Sequence, residues 1–198
     1  MIMTNKYEIE YRALLTQAVF HELMSKGQKE CDMDLSCPLI IHDIYFCPNF
    51  VKKFSEVEMD KVGSYSLRLR EESIKGQLII SLNSKIIQNT GDHNAWLEHE
   101  ISVSSYEECR NILQAIGFKV FFEMTKKRYS FRDDEINVCL EDIESFHPAI
   151  EIEILTSSDK AEKAKKQLLD FFKKNHIEKN MIVKKSITNM LMREKAFF

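Results

Sequence analysis

Charged residues recur at every second position in five short runs of this chain. They are Glu8, Glu10 and Arg12 in "YEIEYR", Arg68 and Arg70 in "SLRLRE", Glu98 and Glu100 in "LEHEIS", Lys126 and Arg128 in "MTKKRYS", and Glu151 and Glu153 in "IEIEIL". Side chains alternate across a β-strand, so each set occupies one face, with mostly apolar neighbours such as Ile9, Tyr11, Leu69 and Ile152 on the other. Two arrangements satisfy such a pattern. In one, the ionic face meets water and acids oppose bases as surface ladders worth about 0.2–1 kcal/mol per pair. In the other, the sheet curls so that the ionic faces line a cavity, which is costly unless the charges meet one another or a ligand. Carboxylates on some strands and guanidiniums on others suit a divalent metal plus a polyanion, a combination that a triphosphate supplies. The charge pattern alone leaves both arrangements open.

The rest of the chain reads as strands joined by hairpins, with a few helices between them. Thr16 caps "QAVFHELMSK", whose Val19, Phe20, Leu23 and Met24 form a helical stripe expected to end at Gly27. "LIIHDIYFC" reads as a strand stopping at Pro48, and "SYSLRLREE" and "GQLIISLNS" as a hairpin about Ile74, Lys75 and Gly76. "IIQNTGDHNA" reads as a loop and "WLEHEISVS" as the next strand. Ser105 and Glu108 make a capping box for "YEECRNILQAI", with Cys109, Ile112, Leu113 and Ile116 on one side. "FKVFFEMTKKRYSF", "EINVCLEDI" and "AIEIEIL" are three further strands, and "DKAEKAKKQLLDFFKKN" is a helix burying Ala161, Ala164, Leu168 and Phe172. The count, about eight strands and three or four helices, predicts an antiparallel α+β domain, with a closed barrel as one form of it.

Composition narrows the function. The 198 residues suit one domain, and 44% hydrophobic with 30% charged residues is a globular balance. A net charge of −3 argues against a broad nucleic-acid surface. No signal-like or bilayer-length apolar run is visible, which predicts a soluble, cytoplasmic protein without a membrane partner. Cys31, Cys37, Cys47, Cys109 and Cys139 are odd in number and lack CxxC spacing, so reduced thiols are expected. His42, His99 and His147 have no histidine partner at metal spacing and read as structural or surface groups; Trp96 reads as packing and the lysines of 160–185 as a solvated helix face. No GxxxxGK or GxGxxG motif exists, so any nucleotide would be held by side chains.

"YEIEYR" resembles the ExExK signature of the CYTH, or triphosphate tunnel metalloenzyme, superfamily, which includes class IV adenylyl cyclases and thiamine triphosphatases. "HDIYF", "LRLRE", "EHEIS", "AIGFKVFFEMTKKRYSF", "VCLEDIESF" and "AIEIEIL" resemble the family's later strands in their order, over residues 5 to 155. The resemblance implies an eight-stranded antiparallel tunnel with helices packed outside, in one domain over 1–198 with a C-terminal helical segment from about 156. It implies Glu8, Glu10, Glu141, Glu151 and Glu153 as ligands of Mg2+ or Mn2+, with Glu98 and Glu100 supporting. Arg12, Arg68, Arg70, Lys126 and Arg128 would bind phosphate, and Arg12, Glu10 and Lys85 would serve catalysis. Two departures stand out. The signature ends in Arg12 where lysine is usual, and an arginine does not act as a base. Asn83 stands where the fourth strand usually offers a lysine, which Lys85, two residues on and on the same face, could replace. The implied function is a metal-dependent triphosphatase or adenylate cyclase acting on a nucleotide or other organic triphosphate, toward which the tail "IVKKSITNMLM" also inclines. A non-catalytic triphosphate sensor is the alternative. A homodimer is compatible with all of this.

Overall fold

A computed structural model describes residues 7–31, 33–59, 61–87, 96–183 and 186–196; the loop expected at 86–95 falls mostly outside them. The strands are β1 (Tyr7–Leu14), β2 (Leu39–Pro48), β3 (Tyr65–Ile74), β4 (Gln77–Ile87), β5 (Trp96–Ser102), β6 (Phe118–Asp133), β7 (Ile136–Ile143), β8 (Ala149–Thr156) and β9 (Ile182–Val183). The helices are α1 (Gln17–Glu30), α2 (Tyr106–Ala115), α3 (Ala161–Lys174) and α4 (Ile187–Lys195). The fold is an antiparallel sheet with helices, as expected, with strand order β5-β4-β3-β2-β6-β7-β8-β1-β9. Two details correct the expected closed eight-stranded barrel. Among the described residues there are nine strands, and the sheet does not close. Ile182 and Val183 pair with Ala13 and Arg12, so the edge of β1 not held by β8 is taken by the chain's own tail.

The chain packs as two compact units, residues 1–38 with 127–187 and residues 39–126 with 188–198, and β6 contributes to both. In the first unit Ile150, Ile152 and Ile154 of β8, Val138 and Leu140 of β7 and Ala13 of β1 are buried against Leu168, Phe171 and Phe172 of α3. Each such isoleucine, leucine, valine or phenylalanine side chain removed from water contributes about 1.5–3 kcal/mol. Thr16 Oγ1 caps α1 by accepting from the Val19 amide at 3.3 Å. The helix then continues past Gly27 to Glu30, contrary to the expected stop. Gly27 is instead a site of close approach: a Cβ there would lie 3.0 Å from the Phe131 ring and 2.9 Å from the Met33 methyl. Lys26 bonds Asp133 and Asn175, each at 3.1 Å, and ties α1 to the end of β6 and the end of α3.

In the second unit β3 and β4 form the expected hairpin, Ile74 opposite Gln77. Lys75 and Gly76 between them both have positive φ, 51° and 78°, the mirror-image turn that matches strand twist. Ile44, Phe46 and Leu69 pack with Cys109 and Leu113 of α2. Ser105 Oγ caps that helix, accepting from the Glu108 amide at 3.2 Å. The expected stripe is narrower than its periodicity suggested, because Ile112 and Ile116 are exposed. The tail contributes α4, whose Arg193 pairs with Glu58.

Candidate functional site: two ionic strand faces

In each unit the helix covers one sheet face and the alternating charges fall on the other. In the first unit that face carries Glu10 and Arg12 of β1, Arg128 of β6, Asn137, Cys139 and Glu141 of β7, and Glu151 and Glu153 of β8, because Ile9, Tyr11, Tyr129, Val138, Leu140 and Ile152 belong to the core side. Register sets Glu10 opposite Glu153, Arg12 opposite Glu151, and Asn137 and Cys139 opposite Glu153 and Glu151. Arg12 pairs with Glu10 and donates from Nε to Glu151 at 2.9 Å. Arg128 donates from Nε and Nη2 to one oxygen of Glu141 at 3.0 and 2.6 Å, and Asn137 donates to Glu153 at 3.0 Å. Burial works against the Arg12 and Arg128 charges, yet Glu10 and Glu151 for one, and Glu141 for the other, raise both above the ordinary arginine value. Both stay cationic. Burial pushes the Cys139 thiol up and keeps it protonated near neutrality. Glu8 lies in β1, and its side chain is outside the described residues.

In the second unit the ionic face is built around Asp43, which is 1% exposed. Arg70, directly opposite it, donates from Nε at 2.6 Å to one carboxylate oxygen and from Nη2 at 2.8 Å to the other, and Nη1 reaches Glu72 at 3.3 Å. Arg68 Nε lies 3.6 Å from Asp43. Burial pushes the Asp43 carboxyl up, but the Arg70 hydrogen bonds and the charges of Arg68, Arg70 and Lys126 outweigh it and hold the group below the usual aspartate range. Burial and the Asp43 charge push the Tyr45 phenol up, so it is neutral. Across the strands Tyr45 pairs with Arg68, Arg68 with Asn83, and Asn83 with Glu100, while Lys85 opposes Glu98. Asn83 Nδ2 donates to Glu98 at 2.6 Å and to Glu100 at 3.4 Å, and Lys85 meets Glu98 at 3.2 Å.

The sequence-predicted residues thus divide: Glu10, Arg12, Arg128, Glu141, Glu151 and Glu153 share the first face, and Arg68, Arg70, Lys85, Glu98 and Glu100 share the second, where the charge of buried Lys126 acts on Asp43. Sequence reasoning missed Asp43 and Asn137. A lone acid in the apolar run "LIIHDIYFC" is the signal that could have found Asp43, because a carboxylate in a strand buried on both faces needs a cation. Asn137 carries no such mark. Along the second unit an apolar cavity of about 330 Å³ is lined by Phe46, Cys47, Val51, Tyr65, Phe121 and Met192, with Ser64 and Ser66 of the Arg68-bearing segment at its wall.

A CYTH domain model matches residues 6–187. No curated protein matches the chain. Among solved structures, protein PH1819 from Pyrococcus horikoshii OT3 is similar with a TM-score of 0.71 at 20% identity, covering 96% of this chain and 100% of its own. A candidate adenylate cyclase from Vibrio parahaemolyticus gives 0.64 at 16% identity over 94% of this chain and 98% of its own. Another from Bacillus halodurans gives 0.64 at 17% over 95% and 98%.

Proposed function

The chain belongs to the CYTH domain family, and from that we propose that it is a divalent-metal-dependent enzyme that hydrolyses or cyclises an organic triphosphate. The observation that carries this reading is that acids outnumber bases on the first face, while on the second the bases gather around one buried acid. On the first, Glu10, Glu141, Glu151 and Glu153 outnumber Arg12 and Arg128, and Glu10 stands directly opposite Glu153, a like-charge pair that a cation would relieve. Around buried Asp43, the three cations Arg68, Arg70 and Lys126 exceed the two acids Asp43 and Glu72, a cluster that an anion would complement.

The donor set fits magnesium or manganese, since carboxylate oxygens are the ligands those hard ions take. Among the described residues no three acidic, histidine or cysteine side chains already converge as a metal site, because guanidiniums or Asn137 hold the carboxylates. Glu10, Glu141, Glu151 and Glu153, with Glu8, would hold the ion once those partners turn to phosphate. When bound, it neutralises the charge that builds on the phosphoryl oxygens during in-line attack. Arg70, locked on Asp43, presents its guanidinium in one orientation, and Arg68 and Lys126 supply further positive charge for the phosphates. Arg12 and Arg128 keep their protons, so they stabilise the leaving phosphate and accept none. Lys85, paired with Glu98, supplies the fourth-strand charge that Asn83 lacks.

The test is phosphate release and cyclic-nucleotide formation from ATP, thiamine triphosphate and tripolyphosphate, with and without Mn2+, in the wild type and Glu10→Gln. Metal-dependent turnover that falls about tenfold or more in the variant, with the fold intact, is expected. Undiminished Mn2+-dependent turnover in Glu10→Gln would contradict the assignment. A second reading, a triphosphate sensor without chemistry, is favoured by Arg12 and Asn83, which remove two of the family's usual lysines; tight binding without turnover of any of the three supports it.

A further inference from the structure

The acids of the first face are not held alike. Arg12 pairs with both Glu10 and Glu151, and Arg128 places two N–H groups on one oxygen of Glu141. Glu153 differs. Among the described residues it has no cationic partner, and its side chain is held by the amide of Asn137, whose Nδ2 donates to Oε1 at 3.0 Å. Register sets Glu153 between two neighbours, Asn137 of β7 directly opposite on one side and Glu10 of β1 directly opposite on the other. Glu153 and Asn137 are both partly exposed, so the pair is open to solvent. A guanidinium orients a carboxylate and also cancels its charge, whereas a neutral amide only orients it. Glu153 therefore keeps its charge, with Oε1 fixed by Asn137 and Oε2 on no side-chain donor among the described residues, beside a second acid. Arg12 meets Glu10 through Nη2 and Glu151 through Nε, so it can release Glu10 and stay anchored on Glu151.

We propose that Asn137 is a positioning residue, which holds Glu153 so that a divalent cation docks there before any triphosphate arrives. The docking ion needs no guanidinium to leave Glu153. Glu141 and Glu151 join only when their arginines turn to phosphate, so the metal comes first and the triphosphate completes its site. A donor that orients a ligating carboxylate carries about 10–100-fold of metal affinity, which is the share this arrangement gives to Asn137. The inference rests on the metal-dependent reading above and adds to it the order of binding and the residue that sets it.

The test is the amount of Mn2+ retained with the full chain on ultrafiltration, titrated first without triphosphate and then with tripolyphosphate, which passes the filter when free. Wild type is expected to retain Mn2+ saturably with no triphosphate present. Asn137→Leu keeps the size of the side chain and removes its donor; it is expected to weaken that retention about tenfold or more with the fold intact by circular dichroism. Glu153→Gln is expected to weaken it at least as far, and Glu141→Gln less, because Arg128 withholds that carboxylate from the ion. Retention only when tripolyphosphate is present overturns the proposal on the wild type alone, so a variant that misfolds does not protect it, and leaves the metal-dependent reading standing. Unaltered retention by folded Asn137→Leu, the result for a merely structural asparagine, overturns the role of Asn137. Equal losses in Glu153→Gln and Glu141→Gln overturn the choice of Glu153. No retention under either condition removes the metal-dependent reading together with this inference.

Discussion

Asp43 concentrates the energetics of the second ionic face, since a carboxylate withdrawn from water is tolerable only while Arg70 bonds both of its oxygens. Asp43→Ala leaves those guanidiniums without their counter-charge, and a loss of about 3 kcal/mol in unfolding free energy is expected from denaturant titration. The depressed Asp43 pKa also sets a pH dependence. The ionised form is favoured by the fold, so its stabilisation is fully present above the ordinary aspartate value, about pH 4, and is lost as pH falls through the lower folded value. Asn at this position does not titrate. The stability gap between wild type and Asp43→Asn should therefore narrow on acidification below about pH 4, and a gap constant from pH 7 to pH 2 would contradict the account. At this scale the sequence displayed the acids and bases but not their partners. Alternation put Arg68 and Arg70 on one face, whereas the preference of Arg70 for Asp43 depends on the β2–β3 register, which no local pattern encodes.

Elements were legible where an end carries its own chemistry. Ser105, Thr16 and the Lys75-Gly76 turn were readable because a hydroxyl cap or a pair of positive φ angles is a local requirement. Ser105→Ala is expected to cost about 1 kcal/mol, read as a lowered thermal midpoint with α2 still helical by circular dichroism. Gly27 shows the opposite case. Glycine is a common stop, but here it sits inside α1, where a Cβ would crowd the Phe131 ring at 3.0 Å and the Met33 methyl at 2.9 Å. Gly27→Val should destabilise by about 3 kcal/mol through overpacking, and a variant as stable as wild type would mean that the close approach is not tight. The exposure of Ile112 and Ile116 has the same origin, in that periodicity marks a stripe but not how much of it a neighbouring strand covers.

For the chain as a whole, an ordered series of alternating strands was enough to anticipate an antiparallel α+β fold, and the CYTH domain match over residues 6–187 agrees with it. The ninth strand was not readable. Two residues, Ile182 and Val183, are too few to show a period, and they form a strand only because β1 offers them an edge. The claim on which the functional account depends is that the face carrying Arg68 and Arg70 binds the phosphates of a triphosphate. Calorimetric titration of ATP with Mn2+ into wild type and Arg68→Ala addresses it most directly. Saturable binding, weakened about tenfold or more by the variant, is the predicted result; affinity indifferent to Arg68, or no binding of ATP, thiamine triphosphate or tripolyphosphate at all, would contradict it.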